Sequence, residues 1–228
     1  NAGVEASASE WICFLDSDDE WHPAKLEKQT EWHRNHPDQL VSQVTESWYW
    51  NGVEKQKPKS WQQRGGDLFA DSITRCSIGP SCLMMARSLW EELGGFNESF
   101  RVCEDYELWL RRTLRTSVGL VGGEPLVKKH GGHKDQLSVA TPAMDRYRVL
   151  ALLKLLEGGD LDIGRVSQVA EGIREKAKIL AQGAENRGRN ELSEFSQKLA
   201  AMNWESASGS EIRALRLRAS EIFFDRFS

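Results

Sequence analysis

No run of about 18 apolar residues occurs in this sequence of 228 residues, so no membrane-crossing helix is expected. The first residues carry neither a basic segment nor an apolar one, so no signal peptide is visible. Basic charge is not in excess: 30 Lys and Arg stand against 34 Asp and Glu, a net charge of -4. That balance argues against a general nucleic-acid binder, which needs a basic footprint. Cysteine is sparse. Cys13, Cys76, Cys82 and Cys103 form no C-x-x-C pair and no disulfide framework, and they read as reduced thiols of a cytosolic protein. The 19 glycines do not recur at every third position, which excludes a collagenous chain. No G-x-S-x-G, P-loop or G-x-G-x-x-G is present.

What is there suits a folded domain, with 39% apolar and 28% charged residues. Nine tryptophans are many, and six of them (Trp11, Trp21, Trp32, Trp48, Trp50, Trp61) fall in the first 61 residues. Core packing accounts for most of such a set, and aromatic surface around a site is the second reading. The chain opens on Asn1, not Met, in what reads as the middle of a helix. A fragment whose missing part lies upstream is therefore expected.

Residues 1–7 read as the last turns of a helix. The run 10–15 is apolar and ends abruptly in acids, which predicts a buried strand of an α/β sheet. Pro23 fits the first turn of a helix reaching His36. Its apolar positions are sparse, so a surface helix is expected, with His33 and His36 facing solvent. Partial alternation predicts a strand within 39–49, and the polar stretch 50–65 a mobile loop. A short helix follows over 67–73 and a second apolar strand over 81–86. The helix over 87–93 is stopped by Gly94-Gly95. A helix over 104–115, short strands over 118–121 and 126–129, and an amphipathic helix over 142–156 complete an α/β module. Beyond Gly158-Gly159 only helical stripes remain: Val166, Val169, Ile173, Ala177 and Leu180, then Leu192, Phe195 and Leu199, then a helix over 211–224. The expected domains are thus 1–157 and a helical tail, 158–228.

The sharpest feature is Phe14-Leu-Asp-Ser-Asp-Asp-Glu-Trp21, where three aspartates crowd the end of a strand. Like charges that close raise one another's pKa unless something offsets them. A hard divalent cation suits carboxylate oxygens, and α/β sheets hold ligands at their carboxyl edge. A solvated acidic loop before the helix at Pro23 is the plain alternative. An EF-hand is excluded, because Trp21 stands where Gly is required and a strand precedes the loop. An Asp-nucleophile phosphatase centred on Asp16 stays open, although Glu20 stands where Thr or Val is wanted.

With Asn1-Ala-Gly-Val ahead of it, Glu10-Trp-Ile-Cys-Phe-Leu-Asp-Ser-Asp-Asp-Glu-Trp21 resembles the middle of a family 2 glycosyltransferase of the GT-A type. In that family an R-N-x-G helix precedes a G-E-W-I-x-F-L-D-S-D-D strand and turn. Here Ser9 stands where Gly is usual, and Trp21-His-Pro23 also agrees. The resemblance implies that Asp16 and Asn1 lie near the nucleotide. It implies that Asp18, with Asp16 and Asp19, ligates Mn²⁺ or Mg²⁺ on the donor diphosphate. Leu93-Gly-Gly-Phe-Asn-Glu-Ser-Phe100 resembles the family's L-G-G-F-D-E-x-F, with Asn97 for the commoner Asp. It leads into Glu104-Asp-Tyr-Glu-Leu-Trp-Leu-Arg111, which resembles E-D-x-x-L-x-x-R. That match carries the acceptor-activating base onto Asp105, with Glu104 orienting the acceptor; helix capping is the alternative. Gly79-Pro-Ser-Cys-Leu-Met-Met-Ala86 fits a strand lining the acceptor side. His130-Gly-Gly-His133 followed by Gln136-Leu-Ser138 resembles a final H-x-x-x-x-S loop. There His130 is expected near the metal or diphosphate, a simple turn being the alternative.

The resemblance spans 1–157. It implies an α/β, GT-A, nucleotide-diphospho-sugar transferase-like sheet with flanking helices. That sheet would be incomplete at the N-terminus by about eighty residues and followed by an all-α tail. It implies a nucleotide-sugar donor (a UDP-sugar), a saccharide or lipid-linked acceptor, inversion at the anomeric carbon, and a role in cell-surface polysaccharide synthesis. The expected location is cytoplasmic, with the inner face of the membrane as a variant. The tail is expected to pack on the first module, pair with a partner, or lie on a membrane. The membrane reading uses 210–227, where Arg213, Arg216, Arg218, Phe223 and Phe224 stand against Glu211, Glu221 and Asp225. The competing reading is a non-catalytic fragment that acts through its tail.

Overall fold

The computed structural model describes residues 1–133 and 136–224. In chain order it forms α1 (Ala2–Glu5), β1 (Trp11–Ile12), β2 (Glu20–Trp21), α2 (Lys25–Asn35), β3 (Val41–Val44), β4 (Glu46–Trp50) and β5 (Val53–Lys55). Then come α3 (Phe69–Thr74), β6 (Leu83–Ala86), α4 (Arg87–Leu93), α5 (Glu104–Thr113), β7 (Gly119–Val121) and β8 (Val127–Gly131). The chain closes with α6 (Leu137–Ala140), α7 (Asp145–Glu157), α8 (Ile163–Glu185), α9 (Asn190–Ala201) and α10 (Gly209–Phe224). It is a mixed α/β fold with a helical C-terminal part.

One sheet runs β1-β6-β3-β7 and the other β2-β8-β4-β5. β3 leads through Thr45 into β4, so a single chain path feeds both sheets. β7 lies parallel to β3 and β8 parallel to β4, while the remaining ladders are antiparallel. β3 and β6 are buried at every position, as expected for strands covered on both faces. The run 10–15 keeps only Trp11 and Ile12 in a ladder. Phe14 turns instead toward Trp90 and Phe96, with ring centroids 5.4 and 5.2 Å away. The stretch expected to be a loop, 50–65, contains β5, paired back onto β4.

Helix α2 corrects the expectation of a surface helix. Its buried residues are Lys25, Gln29 and His33, spaced i, i+4, i+8, so one polar stripe faces the sheet. Gln29 Nε2 donates to Ser42 Oγ and the Cys82 carbonyl, both at 3.2 Å. His33 Nε2 lies 2.9 Å from Ser42 Oγ. His33 is therefore buried, not solvent-facing, whereas His36 is exposed and stacks on Trp32 at 4.1 Å. The hydropathy pattern missed this face because its contacts are hydrogen bonds. Trp32 closes the other side over Gly119, where a Cβ would lie 2.1 Å from the indole.

Two apolar clusters flank α5. Leu108 and Trp109 join Val41, Leu83, Met85 and Trp90 under the first sheet. Tyr106 and Leu110 join α3 and the C-terminal helices. This second core runs across residue 157. Gly172 on α8 lets Ile73 of α3 approach, and Lys176 Nζ donates to the Thr74 carbonyl at 3.1 Å. The apolar face of α10 (Ile212, Leu215, Ala219, Phe223) is buried in the same core, so it is not open to a membrane. Asp225 and Phe227 lie outside the described residues. Among the described residues no helix is long and apolar enough to cross a membrane.

Candidate active site

The acidic loop between β1 and β2 is a turn closed by Asp19 N–H donating to the Asp16 carbonyl at 3.0 Å. Ser81, just before β6, anchors it. The Ser81 hydroxyl donates to Asp19 Oδ2 at 2.7 Å and accepts from Asp16 N–H at 3.1 Å. Trp21 Nε1 donates to the Ser81 carbonyl at 2.8 Å. Asp19 Oδ1 accepts the backbone N–H of His130 at 3.1 Å. Asp19 is thus buried with both oxygens engaged by the protein. Burial raises its pKa despite those bonds and nearby Lys129.

Asp16 and Asp18 are placed differently. Asp18 is exposed, and its Oδ2 lies 2.8 Å from His133 Nε2. Asp16 is half-buried. Burial raises its pKa and Lys129 opposes that, while Asp19, Asp18 and Asp105 add to it. The second acidic segment, from the start of α5, has therefore come to the first across about ninety residues of chain. Glu104 shows the same meeting: burial raises its pKa, with Asp105 and Asp16 adding.

Asp105 is clamped. Its Oδ1 accepts Tyr106 N–H at 2.6 Å, and its Oδ2 accepts the Cys76 thiol at 3.0 Å. The Cys76 sulfur also lies 3.3 Å from the Ile78 carbonyl, so one proton serves two acceptors. Burial and the Asp105 charge push that thiol well above its ordinary pKa. Beyond Cys76 stands Glu46, which accepts from Lys57 Nζ at 2.6 Å, Trp48 Nε1 at 2.7 Å and Cys82 Sγ at 3.0 Å. Burial opposes its charge, but Lys57 and the hydrogen bonds outweigh it and hold Glu46 down to about 2.

The other expected site residues have other partners. His130 directs Nε2 to Glu20 Oε1 at 3.0 Å, so His133 is the histidine at Asp18. A signal for this was present: H-x-x-x-x-S spacing begins at His133 and ends at Ser138. Gly132 lets the chain turn there, with φ +87 and the Trp50 indole where a Cβ would stand. The Asn1 amide is taken up by the 96–98 loop, donating to the Phe96 carbonyl and Glu98 and accepting Phe96 N–H. Ser81, Cys76, Glu46 and Lys129 were not singled out from sequence. Ser81 alone left a trace, as the hydroxyl at the head of an apolar strand.

Among the described residues no three His, Cys, Asp or Glu side chains converge on one metal position. Asp18 is the exposed carboxylate of the loop, with the His133 imidazole against it. A carboxylate of this kind is a donor that Mn²⁺ or Mg²⁺ accepts when phosphate oxygens and water complete the shell. A cavity of 460 Å³ lies elsewhere, between α4, α5 and α7. There Arg111 is closed on Glu107 and on the Gly95 carbonyl.

Residues 1–94 match the family described as Glycosyl transferase family 2. No curated protein matches the chain. Among solved structures the chain resembles the crystal structure of S. aureus TarS 1-349, at 11% identity and a TM-score of 0.63. That overlap covers 96% of this chain and 66% of the other, so the chain spans just under two thirds of that 1-349 chain. The crystal structure of TarS 1-349 in complex with UDP aligns at 11% identity and a TM-score of 0.56, covering 100% of this chain and 70% of that one. At such identity the likeness establishes a shared fold.

Proposed function

From the match of residues 1–94 to glycosyl transferase family 2, we propose that this chain forms the catalytic part of an inverting, metal-dependent glycosyltransferase using a UDP-sugar. The observation that carries the reading is the meeting of the two acidic segments, Asp16 to Asp18 with Glu104 and Asp105. The UDP complex of the structural neighbour supports a nucleotide-sugar donor.

In this reading the donor diphosphate lies along the Asp16–Asp18 loop. Asp18 and His133 would hold Mn²⁺ or Mg²⁺, which when bound neutralises charge on the departing diphosphate. Asp19 does not fit that task, since Ser81 and the His130 backbone N–H take both its oxygens, and the His130 ring points to Glu20 and not to Asp18. The acceptor hydroxyl attacks the anomeric carbon from the face opposite the diphosphate. Its proton passes to the Asp105 carboxylate as the new C–O bond forms. The bond from the anomeric carbon to the phosphate oxygen breaks, and its electron pair leaves with UDP. Attack opposite the leaving group inverts the configuration. Tyr106 N–H and Cys76 hold the carboxylate for this transfer, and Glu104 stands beside it to orient the acceptor. Polysaccharide synthesis at the inner membrane face is the setting that such chemistry suits.

Calorimetric titration of UDP with and without Mn²⁺, joined to a UDP-release assay, tests the reading. Binding should require Mn²⁺ and weaken at least about tenfold in Asp18→Ala. Asp105→Asn should keep UDP binding and lose about 10²- to 10⁴-fold in turnover. Unchanged turnover in Asp105→Asn would sink the base assignment.

A further inference from the structure

The segment 76–82, which leads into β6, touches both acidic segments through its own residues. At one end Cys76 Sγ donates to Asp105 Oδ2 at 3.0 Å. Toward the other end Ser81 meets the acidic loop three times. Its hydroxyl donates to Asp19 Oδ2 at 2.7 Å and accepts Asp16 N–H at 3.1 Å, and its carbonyl accepts Trp21 Nε1 at 2.8 Å. Ser81 is 1% exposed, so water does not compete for these bonds. Between the two ends Gly79 passes Glu46 so closely that a Cβ would lie 3.2 Å from Oε2. Cys82 Sγ donates to that same oxygen at 3.0 Å.

The segment has little freedom of its own. Pro80 fixes one φ, and Cys82 N–H closes a tight turn on the Gly79 carbonyl at 2.9 Å. Ile78 is wholly buried in the cluster under the first sheet. Ser77 Oγ lies 2.6 Å from Ser72 Oγ on α3. The Cys76 sulfur reaches the Ile78 carbonyl at 3.3 Å as well as Asp105, so thiol and backbone are tied together. A close-packed piece of chain held at this many points shifts as a body, because its neighbours leave no space for one residue to give way alone. A displacement of the acidic loop is therefore carried to the thiol whose proton Asp105 accepts.

We propose that 76–82 is a strut that couples the acidic loop to Asp105, with Ser81 and Cys76 as its two positioning residues. The assignment rests on the proposed roles of the Asp16–Asp18 loop as the donor side and Asp105 as the base. It adds how one is set by the other. A diphosphate drawn onto the loop with its cation displaces Asp16 N–H and Asp19, and Ser81 passes that shift along the strut. The bond from Cys76 to Asp105 Oδ2 changes with it, so the orientation of the carboxylate depends on whether the loop is filled. Ser81 acts through Asp16 and Asp19, and Cys76 through Asp105.

Infrared difference spectroscopy of the thiol S–H stretch in the full chain tests the coupling, because that band rises in frequency as its hydrogen bond weakens. Cys76→Ala identifies the Cys76 band among the four free thiols. Ser81→Ala, with no ligand present, should raise the Cys76 band and leave the Cys103 band where it is. Cys103 serves as the control because it is buried immediately before α5, close to Asp105 but outside the strut. In the parent chain, saturation with UDP and Mn²⁺ should move the Cys76 band. An unmoved Cys76 band in ligand-free Ser81→Ala, bands of Cys76 and Cys103 that move together, or a parent band that stays still while UDP binds would overturn the strut. If Ser81→Ala melts below the assay temperature, Trp21→Phe removes the bond to the Ser81 carbonyl and gives the same readout. The ligand-free Ser81→Ala shift without any UDP binding would keep the strut and remove the transferase reading. Asp18-dependent UDP binding without that shift would do the reverse.

Discussion

Two buried carboxylates flank the acidic segments, Asp19 in the β1–β2 turn and Glu46 at the head of β4, and they are held in opposite ways. Asp19 accepts from a hydroxyl and a backbone N–H, both neutral. Burial prevails there, and its pKa rises. Glu46 accepts from an ammonium as well as from an indole and a thiol. Charge prevails there, and its pKa falls to about 2. The difference shows that hydrogen-bond count does not fix the charge state of a buried acid; a cation among the donors does. Neither acid stands alone: Asp18 beside Asp19 is exposed and meets His133, and Asp105 near Glu46 is held by a backbone N–H and a thiol.

The largest expected effect follows from that difference. Glu46→Ala would leave Lys57 buried and unpaired and the Trp48 indole N–H without its acceptor. A loss of about 3–5 kcal/mol is expected for breaking such a pair, a large share of a typical stability. Asp19→Ala would leave two neutral donors unsatisfied, at a cost of about 1–3 kcal/mol. Urea denaturation of the two variants checks the order. An equal or reversed order would break the comparison.

The two acids should also tilt stability in opposite directions with pH. The folded pKa of Glu46 is depressed from 4.5 to about 2. Its contribution is present above 4.5 and is lost as pH falls toward about 2. The folded pKa of Asp19 is raised from 3.8. Its contribution is present below that value and is lost as pH rises through the higher folded value. Urea midpoints measured across acid pH should therefore lose their fall below 4.5 in Glu46→Gln. In Asp19→Asn they should lose their decline just above 3.8. A Glu46→Gln profile parallel to that of the parent would count against a cation-held Glu46.

How far these features could be read from sequence follows from the physics of each contact. The helix stop at Gly94 was legible because a left-handed residue after a helical pattern calls for glycine, and φ there is +73. Asp16, Asp18, Glu104 and Asp105 were legible as motifs, although their meeting depends on tertiary pairing through β6 and α5. Glu46 and Lys57 were not legible. Lys57 sits in a stretch whose polarity reads as a solvated loop and Glu46 in the expected strand before it, and nothing in hydropathy says that an acid eleven residues upstream will bury the lysine. The stripe Lys25, Gln29, His33 failed for the same reason. Periodicity finds faces buried by apolar contact, and this protein places several of its inner faces on hydrogen bonds.

The smallest expected effect lies where Cys76 touches Asp105. A thiol is a weak donor, so its bond to Asp105 Oδ2 should orient the carboxylate more than it stabilises the fold. Cys76→Ala should lower kcat by about three- to tenfold, equivalent to about 1 kcal/mol, with the KM for donor unchanged. Cys76→Ser, whose hydroxyl can donate along the same line, should recover most of that loss. A role in packing alone would predict another pattern: both variants less stable and neither kcat selectively reduced. The same experiment therefore separates a thiol that merely fills space from one that orients the Asp105 carboxylate proposed as the base.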